Sequence, residues 1–215
     1  MNQDALYAKE KRKQGLPKKE LEKTVAIMKS IWGRRNELNQ GGSVRGRRCW
    51  KQPEGNTLKA NFDAALDINN QRMRIGIIVR DNNGNVLASM TSQRRYIVSP
   101  FLAECNAMWR AMELCKKLGF QEVSFEGDAR SVIEAVVDEE VDESGRGQVV
   151  EDLKKMLRSC WYWTLTFTHR EGNVVAHNLA KMALFTEGEF SWIESVPKEI
   201  KQLVVNDRIC NDLSI

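Results

Sequence analysis

Residues 58–98 decide the fold, and they read LKANFDAALDINNQRMRIGIIVRDNNGNVLASMTSQRRYIV. Three apolar runs with the length and composition of β-strands occur in this stretch: LKANFDAAL, RIGIIVRD and NVLASMTSQRRYIV. The second and third runs are separated by Asn82, Asn83 and Gly84, and an Asn-Gly step favours a tight hairpin. The stretch therefore predicts three consecutive antiparallel strands.

The chain beyond these strands alternates helical and strand-like segments. Ser99 and Pro100 are typical of a helix start, as N-cap and first-turn residues, and Gly119 marks the helix end. The later segments are a strand at 122–127, helices at 129–137 and 146–159, a strand at 161–169 and a helix at 173–185. This order predicts an α/β fold in which helices flank a mixed five-stranded sheet, with the first three strands antiparallel and the strand of Asp63 central.

Charge divides the chain into two unequal parts. Residues 1–50 carry 13 Lys/Arg against 5 Asp/Glu, whereas the remainder carries 20 against 24. Apolar spacing predicts an amphipathic helix at 18–37, and the Gly- and Arg-rich segment at 39–48 predicts a flexible linker. We therefore expect a basic arm and linker at 1–48, a main domain at 49–205 and a C-terminal tail at 206–215. The segment SWIESVPKEIKQLVVND is expected to pack as a short extra helix or to form an appendage.

The basic arm is a candidate nucleic-acid-binding element. Lys and Arg neutralise phosphates and release counterions, and Arg45, Arg47 and Arg48 of the linker are the candidate contacts. A charged helix surface that only faces solvent has the same composition, so the sequence leaves both interpretations open.

Composition excludes several classes of protein. No run of about 18 apolar residues occurs, and the first residues lack the apolar core of a secretory signal, so we expect neither a membrane span nor export. We expect an intracellular monomer, nuclear or cytoplasmic.

The five cysteines form no CxxC pair and the chain has two histidines, which argues against a disulfide framework and a Cys/His zinc site. The cysteines are expected to be reduced packing residues.

Three carboxylates occupy informative positions. Asp63 lies in the middle of the first strand, where it is either a buried acid that needs a partner or a residue that alternation turns to solvent. Glu104 lies near a helix start, where the helix dipole alone favours an acid. Asp128 follows the fourth strand, where it is also a candidate N-cap. If the three converge, their charge calls for divalent cations, and oxygen ligands suit Mg²⁺ or Mn²⁺.

A family resemblance is carried by five segments in register: NFDAALD, GIIVRDNNGNV, SPFLAECNAMWRAMELCKKLGF, VSFEGDARSVIEAV and HREGNVVAHNLAK. Together they resemble the RNase H-like domain of plant non-LTR retrotransposon reverse transcriptases over roughly residues 50 to 205. The resemblance implies a ribonuclease that hydrolyses the RNA strand of RNA–DNA hybrids with two divalent cations, Mg²⁺ or Mn²⁺. One cation then generates the attacking hydroxide and the other stabilises the leaving 3′ oxygen.

The resemblance also implies roles for individual residues. Asp63 matches the aspartate that bridges both cations, and Glu104 and Asp128 match the ligands of the leaving-group cation. The fourth ligand of the general pattern, an aspartate, falls on His177. His177 is therefore a metal ligand, a general base, a weak substitute that leaves residual activity, or a surface histidine with no role.

Other residues near the last helix are expected to contact or support the nucleic-acid site. Asn173 lies one turn before His177 and is placed to orient its ring, and His169 matches a mobile histidine that assists product release in relatives. Hybrids are recognised through 2′-hydroxyls and backbone shape rather than sequence. The connection between the second and third helices, DEEVDESGRG, is acidic, so the arm is the expected phosphate-binding element.

Two other functions remain open. The first is a catalytically weak or inactive nucleic-acid-binding domain that kept the fold, which His177 and the acidic connection favour. The second is a protein-interaction module with tryptophan anchors at Trp50, Trp161, Trp163 and Trp192, although tryptophans of this kind also belong to cores.

Overall fold

The computed structural model describes residues 49–68, 70–95, 99–138, 147–160, 162–183 and 188–212. Several predictions lie outside these ranges: those for the arm with Arg45, Arg47 and Arg48, for Trp161, and for most of the acidic connection. Within these ranges, no helix combines the length and the apolar character needed to cross a membrane.

The described residues form six β-strands, five α-helices and one short 3₁₀ turn. The strands are β1 (Leu58–Asp67), β2 (Arg72–Arg80), β3 (Val86–Arg95), β4 (Glu122–Gly127), β5 (Tyr162–Phe167) and β6 (Glu189–Ile193). The helices are α1 (Pro100–Lys117), α2 (Arg130–Val137), α3 (Gly147–Arg158), α4 (Val174–Met182) and α5 (Lys201–Asp212), with the 3₁₀ turn at Arg170–Gly172. Helix α5 crosses the position at 205/206 where the sequence predicts a tail to begin.

The sheet is mixed, and its strand order is β5-β4-β1-β2-β3-β6. Strands β1, β2 and β3 pair antiparallel and β1 lies inside the sheet, as predicted. Strands β4 and β5 run parallel to β1. The predicted count of five strands is wrong, because β6 adds an edge strand antiparallel to β3. Backbone pairing holds β6, whose side chains are mostly exposed, and the strand therefore lacks the alternation of buried residues that marks a strand in a sequence.

Local turn and cap chemistry sets the ends of β2, β3 and α1 as the sequence predicts. In the hairpin, Gly84 has φ +73° and its N–H donates to the carbonyl of Asp81. The Ser99 hydroxyl accepts a hydrogen bond from the N–H of Leu102, which caps α1. Gly119, with φ +73°, follows the last turn of α1.

Alternation along the central strands places apolar side chains against helices on both faces of the sheet. Phe62 of β1 and Ile77 of β2 belong to the larger core cluster, which α1, α2 and α3 complete. On the other face Ile78 packs with Leu179 of α4 and Ile200 before α5. Of the two outcomes expected for the segment that ends the domain, the structure shows the packed helix rather than the appendage. Trp50 and Trp163 are buried, and Trp192 is half-buried.

Helix α4 lies unusually close to β2 because Gly76 has no side chain. A Cβ at this position would collide with the backbone of Ala176 and Ala180. Gly76 is the register partner of Asp63 on β1. Helix α4 therefore packs closely on β2 at the position directly opposite Asp63, the first candidate carboxylate.

A buried polar network fastens the two ends of the domain to the sheet. Arg80 is 1% exposed, donates to Asp207 of α5 at 2.8 Å and donates to Asn61 at 3.0 Å. Its guanidinium lies 3.7 Å from the ring centroid of Trp50. Helix α5 is thus held by a charge pair as well as by apolar packing.

The cysteines depart from the prediction in one respect. Cys49 and Cys210 form a disulfide, with Cα atoms 6.4 Å apart and a sequence separation of 161. The prediction that all cysteines are reduced is wrong for this pair, because the packing of Trp50 and α5 on Arg80 brings the two ends of the domain together. Cys105 and Cys115 are free and buried, as expected of packing residues.

Candidate metal centre

Asp63 is a buried acid rather than a solvent-facing one. Its side chain is 1% exposed, and it occupies the part of β1 beyond the residues that pair with β4. The Oδ1 atom is buried and has no hydrogen-bond partner among the described residues. An ionised carboxylate with a buried, unpartnered oxygen is costly, so the site calls for a positive charge.

Glu104 and Asp128 converge on Asp63 from two other elements. One carboxylate oxygen from each of the three residues lies within 4.8 Å of the others. Helix α1 begins at Pro100, so Glu104 lies beyond its first turn, and the helix dipole does not account for it. Helix α2 has its N-cap at Ala129 and no side-chain cap, so Asp128 does not have that structural role. The helix dipole therefore does not explain Glu104, and an N-cap role does not explain Asp128.

Burial raises the pKa of all three carboxyl groups. Burial raises the pKa of Asp63 to about 6, although a hydrogen bond from Asp128 and the charges of Arg170 and Lys181 oppose the rise. Burial, followed by the charges of Asp63 and Asp128, raises the pKa of Glu104 well above its usual value. Burial, followed by Asp63, also raises the pKa of Asp128. The cluster therefore accumulates more negative charge than its surroundings neutralise.

His177 joins the cluster from α4, through Asp63. Its Nδ1 atom lies 2.9 Å from Asp63 Oδ2, and the ring is 7% exposed. Asn173, at the N-cap of α4, donates from Nδ2 to the carbonyl of Phe62 at 2.9 Å and is itself buried. Asn173 thus fixes the start of α4 beside the residue that precedes Asp63. Its N-cap carbonyl also accepts a hydrogen bond from the N–H of His177.

Arg170 is a site residue that the sequence interpretation missed. It lies in the 3₁₀ turn after β5, and its Nη1 donates to Asp128 Oδ2 at 3.2 Å. Its Nη2 lies 2.6 Å from Nε2 and 2.9 Å from Nδ1 of His177. Because β4 and β5 are parallel neighbours, the residues that follow them meet at one edge of the sheet. The parallel pairing of β4 with β5 is therefore the feature that could have indicated a position for Arg170 near Asp128.

His177 lies between a hydrogen-bond donor and an acceptor. An arginine guanidinium only donates hydrogen bonds and an ionised carboxylate only accepts them. When Asp63 is ionised and the imidazole is neutral, the tautomer that satisfies both neighbours accepts from Arg170 at Nε2 and donates its Nδ1–H to Asp63 Oδ2. Both ring nitrogens are then engaged.

His169 is placed apart from this network. It is exposed at the end of β5, and its ring meets that of Phe167 edge-on at a centroid distance of 5.2 Å. Arg170, the next residue, makes the contacts to the carboxylate cluster.

The donor set fits a hard divalent cation. Oxygens of three acids converge, and buried oxygens of Asp63 and Glu104 lack hydrogen-bond partners among the described residues. Oxygen ligands of this kind suit Mg²⁺ or Mn²⁺. The three-acid group does not include His177, which contacts Asp63 of that group through a hydrogen bond.

A family model described as reverse transcriptase-like matches residues 61–183, more than half of the chain. The chain belongs to the reverse transcriptase-like family. The matched range contains Asp63, Glu104, Asp128 and His177. Among curated protein sequences, none matches the chain significantly.

Solved structures similar to this member of the reverse transcriptase-like family show that its fold is RNase H-like. RNase H1 from the archaeon Halobacterium salinarum has a TM-score of 0.55 and 22% identity, and the alignment covers 60% of this chain and 97% of that one. LC11-RNase H1, isolated from compost, has a TM-score of 0.54 and 18% identity over 60% and 96% of the two chains. The protease-reverse transcriptase of prototype foamy virus has a TM-score of 0.51 and 16% identity over 63% and 22%.

Proposed function

We propose that this protein is a divalent-cation-dependent ribonuclease of the RNase H type that hydrolyses the RNA strand of RNA–DNA hybrids. The observation that carries the proposal is the convergence of Asp63, Glu104 and Asp128, two of which, Asp63 and Glu104, have buried carboxylate oxygens without hydrogen-bond partners among the described residues. Membership of the reverse transcriptase-like family and the RNase H-like fold support it. LC11-RNase H1 has been solved in complex with an RNA/DNA hybrid, with a TM-score of 0.52 to this chain, 19% identity and coverage of 60% and 99% of the two chains.

In this proposal the three acids hold the cation, Mg²⁺ or Mn²⁺. When bound, a divalent cation supplies a Lewis acid for the phosphate and lowers the pKa of a water molecule. Asp63 Oδ1 and Glu104 Oε2 provide buried oxygens for it, because neither has a hydrogen-bond partner among the described residues. Asp63 Oδ2 is occupied by the Nδ1–H of His177. His177 thereby holds the Asp63 carboxylate in one orientation and leaves Oδ1 for the cation.

Nucleic acid is the proposed partner, and the linker arginines Arg45, Arg47 and Arg48 are proposed to add phosphate contacts. If the arm binds phosphate, deletion of residues 1–48 weakens hybrid binding and reduces its dependence on salt concentration, because fewer counterions are released. A truncated domain that binds as tightly as the full chain would leave the arm without this role.

The decisive experiment is a cleavage assay of the full chain on an end-labelled RNA–DNA hybrid with Mg²⁺, Mn²⁺ or EDTA. We expect cleavage of the RNA strand only, with a 3′-hydroxyl on the upstream product. Duplex DNA, single-stranded RNA and the Asp63→Asn variant are the controls, and none should be cut. A chain that binds the hybrid but cleaves nothing with either cation would instead be the inactive nucleic-acid-binding domain.

The role of His177 is tested by two substitutions in the same assay. If His177 orients Asp63 for catalysis, His177→Ala removes most turnover, whereas His177→Asp restores the four-acid pattern and shifts the preference toward Mg²⁺. Unchanged cleavage by His177→Ala would make the residue a bystander. Cleavage by His177→Asp alone would show that the natural chain is an inactive relative.

A further inference from the structure

The oxygens of the carboxylate cluster differ in how they are neutralised. Asp63 Oδ1 and Glu104 Oε2 are buried without hydrogen-bond partners among the described residues. Asp128 Oδ2 accepts from Arg170, and Asp63 Oδ2 lies 2.9 Å from Nδ1 of His177. The first two oxygens therefore call for a cation, whereas Asp128 already has a positively charged partner.

We propose that the Arg170 guanidinium takes the place of one of the two cations expected at this site, so that the chain binds a single divalent ion through Asp63, Glu104 and Asp128. The inference rests on the proposed function and specifies its metal requirement. It makes Arg170 a positioning residue, which neutralises Asp128 and holds the ring of His177.

Charge balance supports a single ion. Four acids would match two divalent cations, but here His177 replaces the fourth acid and contributes no negative charge. Three ionised carboxylates and one guanidinium sum to a charge of −2, so the site is no more negative than one divalent ion balances. The positive charge of Lys181, one turn beyond His177 on α4, also acts on Asp63, which further disfavours a second ion.

Ligand availability gives an independent argument. A second ion beside His177 would need a lone pair on its ring, but Nε2 accepts from Arg170 at 2.6 Å and Nδ1 donates to Asp63 at 2.9 Å. Both ring nitrogens are therefore already engaged, one by Arg170 and one by Asp63.

The test is a titration of the full chain with Mn²⁺ alone, monitored by electron paramagnetic resonance of the free ion and by calorimetry. We expect one Mn²⁺ for the wild-type chain and two for Arg170→Gln, which removes the charge and releases His177 Nε2. Two ions about 3.5–4 Å apart would also be spin-coupled, a signature that the wild-type chain should lack. A structural role for Arg170 would not change the stoichiometry.

Arg130→Gln is the matched control. Arg130 stacks over the ring of Phe167 at 4.2 Å and pairs with Glu134, so its loss should leave the stoichiometry at one. A wild-type chain that binds two Mn²⁺ ions, or none, overturns the inference without use of any variant. An Arg170→Gln chain that is folded by circular dichroism and still binds one ion also overturns it. Because the titration contains no nucleic acid, a chain that binds one ion but cuts no hybrid contradicts the proposed function alone.

Discussion

Gly76 lies directly across the β1–β2 ladder from Asp63, and its missing side chain is what allows α4 to reach that row of the sheet. His177 is carried by α4, so its 2.9 Å contact with Asp63 depends on the absence of a side chain at Gly76. The geometry of the site is therefore determined in part by backbone packing on the neighbouring strand.

Gly76→Ala should separate α4 from the sheet. The added Cβ meets the backbone of Ala176 and Ala180, which cannot move aside as a flexible side chain would. We expect a loss of roughly 3 kcal/mol in the free energy of unfolding and a large loss of hybrid cleavage. Urea denaturation and the cleavage assay measure both, and Gly76→Val should be worse. Normal stability and activity in Gly76→Ala would show that α4 can shift without consequence.

Asp63→Asn should abolish cleavage and yet stabilise the cation-free protein at neutral pH. The substitution removes a buried negative charge beside two other acids, whereas most substitutions of buried residues destabilise. Thermal unfolding in EDTA at pH 7.5 should therefore show a higher Tm for Asp63→Asn than for the wild-type chain. A lower Tm would mean that Arg170 and His177 stabilise the Asp63 carboxylate by more than its burial destabilises it.

The stability of the cation-free chain should depend on pH through the same residue. The pKa of Asp63 rises from 3.8 to about 6 on folding, so between these values the folded chain keeps a proton that the unfolded chain loses. This contribution to stability is present at low pH and disappears as the pH rises through about 6. The Tm difference between wild-type chain and Asp63→Asn in EDTA should therefore widen from pH 5 to pH 7.5, and Mn²⁺ should restore the wild-type Tm. An equal difference at both pH values would contradict the raised pKa.

Asp207→Ala should loosen α5. Asp207 pairs with the fully buried Arg80, and removal of one partner from a buried pair costs about 3–5 kcal/mol because the other charge remains uncompensated. The control is Glu134→Ala, which breaks the exposed pair with Arg130 and should cost about 1 kcal/mol or less. Equal costs in chemical denaturation would show that water reaches Arg80.

Much of the site could be predicted from sequence because strand and helix periodicity place residues in order along the chain. Asp63, Glu104 and Asp128 stand at the middle of a strand, near a helix start and at a strand end, and the fold brings those three positions together. Arg170 was missed because a residue in an irregular turn carries no periodic signal, and only the pairing of β4 with β5 places it beside Asp128.

Two other features depend on long-range contacts. Strand β6 has mostly exposed side chains and is held by its backbone bonds to β3, so its sequence does not alternate between polar and apolar residues. Cys49 and Cys210 are 161 residues apart and meet only after α5 has docked. Neither is visible in a local pattern of residues.

Removal of the disulfide should measure its contribution. In the chain-entropy model, a loop of this length contributes roughly 5 kcal/mol by restricting the unfolded chain. The double variant Cys49→Ser/Cys210→Ser should therefore unfold at clearly lower urea concentration, whereas Cys160→Ser, at a free and half-buried cysteine, should not. If dithiothreitol leaves the wild-type midpoint unchanged, the bond is absent or contributes little.

The same bond determines how tension would travel through the molecule. Cys49 directly follows the linker and Cys210 lies near the end of α5, so a pull on the two chain ends enters the domain at two points joined by sulfur. The load passes along that covalent path and bypasses the segment between the two cysteines, which contains the whole sheet. The strands that hold Asp63 beside Asp128 would thereby carry little of a tension applied to the two ends of the chain.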